Sequence, residues 1–539
     1  MLTQPARGLF NIAEESVRGV LALFTGDVLS TIILAIGSIL IARFLGPEGY
    51  GLYSLSLVIP TIMLSLIALG IDHAVIRFPA KLKAEGRLGQ IPILLKSAIA
   101  FRFVSGLVMW LICFLLSDIL ATYILNRPEI GFYIKISSFL IIVQSISTLF
   151  YSIFIGLGVS ERGAMVKVLM SIIKSTLAPA LIIIGLGITG AVTAHVLSYL
   201  AACLAGTIIL YEQYRRMRDV IRRDEGSGND FKSNLRLMIG YGLPLYTSSL
   251  LTIFMDQYRL LLLAYNVSNL EIGNFQAAGN FLTLLAVISM PIALAIFPAF
   301  SKIEPSSEDI KKAFQYSVKY TAVILVPASV FTIMMSRPLV EIVYGHQYVL
   351  APIFLSLYAA TYLYSALGSM VLGSFFNGIG ETMVNFKATL LYFIIFIPLA
   401  TILTSLYGVI GLITSVLISL AANVGYCTRV AVKRYYVKID FQSSAKILSA
   451  SLTGGLVLII FLVDPWVPSY LSLLLGIPIY LITYITLLPL LGGIQEIDLE
   501  NLNILFRNYR VLKPVVDIFT KYEHKLIMLS KSKSQKELR

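Results

Sequence analysis

Long apolar stretches separated by short polar segments make up most of the chain. Most of them approach or exceed 20 residues, and they lack the two-residue alternation that the strands of a membrane β-barrel require. A helix needs about 20 apolar residues to cross the hydrocarbon core of a bilayer, and it satisfies its own backbone hydrogen bonds there. The pattern therefore predicts an all-α membrane protein with about fourteen transmembrane helices. The predicted spans are residues 21–42, 52–71, 97–117, 132–156, 164–184, 189–211, 237–264, 274–299, 315–335, 351–374, 384–405, 407–428, 445–463 and 469–491.

The segment between the first two apolar stretches has a weaker copy later in the chain. Ile41–Leu55 reads IARFLGPEGYGLYSL, and its second half returns at Ile272–Ala277, where Gly273 aligns with Gly51 and Phe275 with Tyr53. We interpret the first copy as a turn at the outer corner of one half and the second as the corresponding corner of the other. The sequence thus predicts two six-helix lobes around a central cavity, plus two C-terminal helices. The predicted parts are an N-lobe at 1–211, a cytoplasmic linker at 212–236, a C-lobe at 237–431, the added helices at 432–491 and a basic amphipathic cytoplasmic tail at 492–539.

Composition supports a membrane protein, and the distribution of its basic residues predicts its orientation in the membrane. The chain is 57% hydrophobic and 13% charged, whereas soluble chains are roughly 45–50% apolar and about 25% charged. Its net charge of +13 comes from basic residues in loops and tails, as expected for cytoplasmic segments and unlike a nucleic-acid-binding patch. This distribution predicts a multi-pass protein of the cell membrane with both termini in the cytoplasm. On the predicted outer side, in outer segments or at the outer end of a span, the lysines and arginines are only Arg43, Arg127, Lys135 and Arg337.

The sequence offers no catalytic or cofactor-binding motif. It has no Walker sequence, no zinc-ligand spacing and no nucleophile elbow. Its three cysteines lie inside apolar stretches, so they are expected to be core residues. We therefore expect neither an enzyme nor a site for a cofactor or metal.

Charged residues within predicted spans are candidates for function, because each costs about 2.5–3.5 kcal/mol to insert. Lys174 lies near the middle of span 5, and Lys167 lies on the same helical face nearer the cytoplasm. Together they could guide an anion inward from the membrane surface. The alternative is that Lys174 pairs with a carboxylate from another span.

Four further charged residues within spans are candidates for function. Asp256 and Arg259 are spaced to meet on one helix face, as a structural pair or as a gating pair. Asp27 and Arg102 lie about two turns from span ends, where either could reach the interface or serve function.

In the tail, apolar residues recur at helical spacing among basic ones. This pattern predicts a helix on the inner leaflet, with partner binding as the alternative.

Four segments resemble the polysaccharide, or lipid-linked oligosaccharide, flippases of the multidrug/oligosaccharidyl-lipid/polysaccharide exporter superfamily. The first lobe carries ARFLGPEGYGLYSLSL and IDHAVIRFPAKLKAEG, and the second begins LPLYTSSLLTIFMDQYRLLLLAY followed by EIGNFQAAGNF. The resemblance covers spans 1–12, and spans 13–14 match the extra pair of helices in such flippases.

The resemblance implies a V-shaped cavity in which basic residues receive the phosphate of a lipid-linked oligosaccharide. The sugar headgroup would pass from the inner to the outer leaflet by alternating access while its polyprenyl tail stays in lipid. The implied partners are this substrate, membrane lipids and glycan-assembly enzymes, without nucleic acid. The expected substrate-binding residues are Lys174, Arg102, Arg259 and Lys167, approached past Arg77, Lys81 and Lys96. Asp27 and Asp256 oppose these cations and are the candidates for gating or coupling.

Two alternatives stay open at this point. A cation-coupled multidrug exporter of the same superfamily would need a carboxylate cluster in the first lobe, where only Asp27 lies within a span and Asp72 lies at an edge. A non-transporting scaffold would recruit glycan enzymes through the tail, which would leave the deep Lys174 without a use.

Overall fold

The computed structural model describes residues 4–223, 230–302, 304, 307–463, 467–506 and 513–537. These residues form helices joined by short turns, and none of the described residues lies in a β-strand. The predicted fold class, an all-α membrane protein, is confirmed.

Six helical stretches of the described residues are long and apolar enough to cross a membrane, or up to nine when each bent pair counts as one span. Three of the six are long: Leu23–Ala68, Ser160–Arg216 and Thr382–Tyr435, with 46, 57 and 54 residues. Each has room for two spans of about 20 residues. The count of fourteen spans stays a prediction.

Glycines interrupt these long stretches. Gly46 and Gly408 have φ angles of 72° and 57° inside otherwise continuous helix, and Gly185 has a φ of 99°. Such angles favour glycine because it has no Cβ to clash. The Gly46 bend lies within the repeated motif, where the sequence predicts a turn.

Contacts divide the chain into two compact units, residues 1–280 and 281–539. The helix α10 runs through the boundary, which falls later in the chain than the predicted linker at 212–236. The helices of the first unit are α1 (Gln4–Ser56), α2 (Val58–Ala68), α3 (Ile71–Ala84), α4 (Gln90–Ile119), α5 (Gly131–Ser137), α6 (Leu140–Gly156), α7 (Ser160–Leu181), α8 (Gly187–Arg223), α9 (Phe231–Asn266) and the start of α10 (Asn269–Lys302).

The first unit is built around two groups of helices. In one, α7 packs against α1 and α8. In the other, α3, α4 and α6 share a core that includes Ile71, Leu94 and Phe154. Met238 of α9 completes this core, and α9 packs along α2, α3 and α4. These contacts explain why α9, the predicted first helix of the C-lobe, belongs to the first unit.

The motif and its copy touch each other within the first unit. A Cβ placed on Gly51 would overlap the Asn269 carbonyl group, and one placed on Gly273 would overlap the Pro47 carbonyl group. Only glycine permits this backbone approach. The sequence alignment of Gly51 with Gly273 therefore corresponds to a direct packing contact.

The second unit has two adjoining hydrophobic clusters. One includes Phe314, Phe375 and Phe376, and the other includes Tyr480 and Tyr484. The helices are α11 (Glu308–Met334), α12 (Ser336–Tyr344), α13 (Ala351–Ala359), α14 (Ser369–Gly378), α15 (Thr382–Tyr435), α16 (Phe441–Val463), α17 (Ser469–Leu490), α18 (Glu496–Phe506) and α19 (Lys513–Glu537).

The C-terminal tail is packed onto the second unit. Leu499 of α18 and Ile527 of α19 are 5% exposed and join the cluster around Tyr480. The Tyr522 hydroxyl lies 2.8 Å from that of Thr486 in α17. Part of the apolar face that the sequence assigned to lipid is therefore used for packing within the protein. Contact of the tail with the inner leaflet stays a prediction.

Candidate anion site in the first unit

Lys174 has a nitrogen base as its partner. The residue lies in α7 with a partly buried side chain, and its Nζ is 3.3 Å from Nε2 of His195 in α8. Among the described residues, no carboxylate lies within 4 Å of this ammonium group. The alternative in which another span supplies a carboxylate to Lys174 is therefore not what the structure shows.

His195 connects Lys174 to the repeated motif. Its Nδ1 lies 3.1 Å from the hydroxyl of Tyr53 in α1, and its ring stacks on Tyr199 at a centroid distance of 5.6 Å. His195 and Tyr53 are 8% and 5% exposed. We call Lys174, His195 and Tyr53 the Lys174 array. It places one cation, one titratable imidazole and one hydroxyl in a continuous line within unit 1.

The motif also holds the start of α10. Tyr50 stacks with Tyr53, and its hydroxyl accepts a 3.0 Å hydrogen bond from Nδ2 of Asn280. From the sequence, this motif was predicted to form a turn and was not predicted to be part of the site. Its tyrosines alternate with the glycines of the turn, which is the signal that could have indicated a second role.

Lys167 and Asp27 form a pair. The Lys167 Nζ lies 2.7 Å from the Asp27 carboxylate, to which the Tyr151 hydroxyl also donates at 3.1 Å. Lys167 lies seven residues before Lys174, about two turns or 10 Å along α7. The two lysines therefore share a helix face, as predicted, but Asp27 neutralises only Lys167.

Arg102 forms a buried ion pair. Its side chain is 1% exposed and pairs with Asp72 of α3, which is 26% exposed. Among the described residues, its Nε has no hydrogen-bond partner. This burial favours a role in holding α3 against α4.

Asp256 and Arg259 pair within α9. Their nearest side-chain atoms are 3.1 Å apart, and Asp256 is 55% exposed. The predicted meeting of these residues on one helix face is confirmed. Of the approach residues, Arg77 lies 4.4 Å from the ring centroid of Tyr241, and Lys81 pairs with Glu85.

Side chains that could ligate a metal are scattered in the described part of the chain. Its His, Cys, Asp and Glu side chains form no group of three that could hold a metal ion. Cys113, Cys203 and Cys427 are free thiols.

The fold and its long apolar helices are those of an all-α, multi-pass membrane protein. The chain belongs to the family described as Polysaccharide biosynthesis protein, which it matches over residues 40–351. Residues 273–484 match the family Lipid II flippase MurJ. The resemblance stated from the sequence motifs is confirmed.

A relative and two solved structures show how far the similarity extends. The probable low-salt glycan biosynthesis flippase Agl15 of Haloferax volcanii is 21% identical over 276 residues, 50% of this chain and 57% of that protein. The chain thus matches little more than half of its relative. The structure of lipid II flippase MurJ in an inward closed conformation has a TM-score of 0.71 at 16% identity, covering 90% of this chain and 99% of that one. An inward-facing multidrug resistance MATE family transporter scores 0.57 at 17% identity, covering 78% and 96%. These structures establish the shared fold.

Proposed function

We propose that the protein is a flippase that moves a lipid-linked oligosaccharide from the inner to the outer leaflet of the cell membrane, without catalysing a covalent step. The observation that carries this proposal is the Lys174 ammonium group, whose partner is His195 and not a carboxylate. An uncompensated cation within an apolar helix is costly unless it serves function. A polyprenyl phosphate or pyrophosphate supplies the missing negative charge.

The membrane potential would favour this direction of transport. An inside-negative potential favours outward movement of an anion by about 2.3 kcal/mol per charge per 100 mV. A headgroup with two charges would gain roughly 4–5 kcal/mol at about 100 mV. The work left to the protein is to lower the barrier, which Lys174 does by replacing part of the hydration of the phosphate.

Lys167 would act before Lys174. Its pairing with Asp27 neutralises it while the site is empty. An entering phosphate can compete with Asp27 for Lys167 and then pass to Lys174 two turns deeper along the helix. Asp27 is thus proposed as a gating residue. Asp256 and Arg259 form an analogous pair in α9 and are proposed to open in the same way.

The Arg102 and Asp72 pair also bears on the main alternative. A cation-coupled drug exporter needs first-lobe carboxylates that are available to a coupling ion. Asp27 and Asp72 each accept from a basic side chain instead. The deep cation at Lys174 favours an anionic substrate, so we propose the flippase.

Association of the packed tail with glycan-assembly enzymes is a further proposal, with both termini in the cytoplasm.

The proposal is tested with purified protein in vesicles that contain a fluorescent polyprenyl pyrophosphate saccharide. Quenching of the outer-leaflet probe by a membrane-impermeant reductant measures how much lipid changes leaflet. We expect Lys174→Ala to slow flipping at least about tenfold, and Lys174→Arg to keep part of the rate because it keeps the charge.

Lys135→Ala is the matched control. Lys135 is a lysine in α5 that pairs with Asp118 at 2.7 Å, and its loss should leave flipping unchanged. Full activity of Lys174→Ala would show that the proposed site is wrong. Absence of flipping by the wild-type protein, with export of a cationic dye instead, would overturn the proposed function.

A further inference from the structure

We infer that the Lys174 array is a proton-binding site that fills when the phosphate of the substrate binds. This inference rests on the proposed function, since it takes the phosphate as the ligand of Lys174. It assigns roles to His195 and Tyr53, neither of which belongs to the set of residues expected from the sequence.

The geometry accommodates two hydrogen-bond arrangements that differ by one proton. In the first, charged Lys174 donates to Nε2 of neutral His195 across 3.3 Å, and Nδ1–H donates to the Tyr53 hydroxyl across 3.1 Å. In the second, Lys174 is a neutral amine that accepts from Nε2–H, and the Tyr53 hydroxyl donates to Nδ1. Either tautomer of imidazole pairs both of its ring nitrogens.

The proton count follows from these two arrangements. Lys174 loses one proton between the first and the second, while the imidazole keeps one proton and moves it from Nδ1 to Nε2. The Tyr53 hydroxyl keeps its proton and turns. The array can therefore release a proton without leaving an unpaired charge or a broken hydrogen bond, both of which are expensive in a buried site.

The charged groups nearest the array are paired with each other while the site is empty. Helix α7 packs against α1, α6 and α8. From these elements the charged groups Asp27 and Lys167 satisfy each other, and Tyr151 of α6 donates to Asp27. Among the described residues, Tyr50 and Tyr199 are the titratable groups whose rings stack on Tyr53 and His195. Arg43 and Glu48 of α1 are exposed.

Phosphate binding would shift the array to its charged arrangement. A negative charge beside Lys174 favours the protonated amine, so a lipid phosphate should bind together with a proton whenever the empty array is deprotonated. By the same linkage, the affinity for the phosphate should fall as pH rises. Release of the phosphate on the other side of the membrane should release the proton there.

The test measures proton uptake and binding apart from flipping. Purified full-length protein in detergent is titrated with a polyprenyl monophosphate in two buffers of different ionisation enthalpy, from about pH 6 to about pH 9. The difference in heat between the buffers gives the number of protons taken up per lipid bound. We expect uptake to rise with pH towards about one proton per bound lipid in the wild-type protein.

Two variants separate a proton site from a merely structural contact. His195→Gln keeps an acceptor for charged Lys174 but removes the imidazole that links it to the Tyr53 hydroxyl, so the lipid should still bind while the pH at which half a proton is taken up moves from its wild-type value. Tyr53→Phe removes the hydroxyl that faces Nδ1, so the pH at which half a proton is taken up should move. Lys135→Ala should behave as the wild-type protein in both measurements.

Several outcomes would overturn the inference, and they differ from failure of the proposed function. Lipid binding without proton uptake at any pH, or unchanged uptake in both variants, would exclude the array as the proton site. In that case flipping in vesicles could still be intact, which would retain the proposed function. Binding with proton uptake but without flipping would reject the function and keep the site.

Discussion

The chain contains two well-packed lysines with opposite surroundings, and the contrast separates structure from function. In unit 2, Lys319 of α11 is 7% exposed and pairs with Asp498 of α18, which is 2% exposed. The Asp498 carboxylate also accepts from the Gln495 backbone N–H at 2.8 Å and the Tyr320 hydroxyl at 3.2 Å. In unit 1, Lys174 faces Nε2 of His195. Lys319 has its charge compensated by a carboxylate within the protein, whereas Lys174 has no carboxylate partner among the described residues.

The partner of a buried charged side chain indicates the role of that side chain better than its depth in the protein does. A buried ion pair whose carboxylate oxygens are fully hydrogen-bonded holds two helices together. Removing either partner leaves the other charge buried and unpaired, which is costly. Asp498 thus fixes the start of the tail to α11. A cation without a carboxylate partner contributes little to stability, which fits the ligand-binding role proposed for Lys174.

The largest change in stability is expected at the Lys319–Asp498 ion pair. Lys319→Met leaves the Asp498 carboxylate buried without its cation, which should destabilise the second unit by about 3–5 kcal/mol. Thermal unfolding of the purified protein in detergent measures the change.

The matched control is a double variant. Adding Asp498→Asn to Lys319→Met removes the stranded charge but keeps an oxygen for the Gln495 N–H, so it should recover a large part of the loss. If Lys319→Met unfolds at the wild-type temperature, the pair does not anchor the tail.

The sequence predicted those parts of the site that depend on local spacing. Lys174 stood out because it lies deep in an apolar stretch, and Asp256 meets Arg259 because three residues separate them on a helix. The partners of Lys174 were missed for a physical reason. Tyr53 and His195 are 142 residues apart in the chain, and only the packing of α1, α7 and α8 brings them together.

The same reason explains the other differences between prediction and structure. Asp498 is 179 residues from Lys319, and in the sequence it reads as one charge among many in a polar tail. The all-helical fold was predictable because the apolar stretches are long and numerous. The division into lobes at the 212–236 linker stays a prediction, since polarity marks that linker whereas packing sets the contacts of α9.

An intermediate change in stability is expected at a buried carboxylic acid that has no cationic partner among the described residues. Glu523 of α19 is fully buried, and among the described residues neither of its carboxylate oxygens has a hydrogen-bond partner. Burial raises the pKa of Glu523 to about 8. In the unfolded chain the same carboxyl has a pKa of about 4.3. The neutral acid therefore stabilises the packed tail most fully below about pH 4.3, and this contribution is lost as pH rises through about 8.

Glu523→Gln should remove this pH dependence. The unfolding temperature of the wild-type protein should fall between about pH 7 and about pH 9, while the neutral amide keeps that of the variant flatter. Hydrogen exchange of α19 would show whether the tail detaches over the same range. Glu500→Gln, which changes an exposed carboxylate of α18, is the control and should follow the wild-type curve. A wild-type tail equally protected at both pH values would contradict the assigned burial.

The smallest change in stability is expected at Lys174, although its effect on flipping is the largest. Lys174→Met removes a cation that has no carboxylate partner among the described residues and replaces it with an apolar chain of similar length. The unfolding temperature should therefore stay the same or rise slightly, since the variant no longer pays to desolvate a charge. Lys319→Met, measured in parallel, provides the contrast. A Lys174→Met protein as unstable as Lys319→Met would mean that Lys174 holds unit 1 together, and the distinction between the two lysines would be lost.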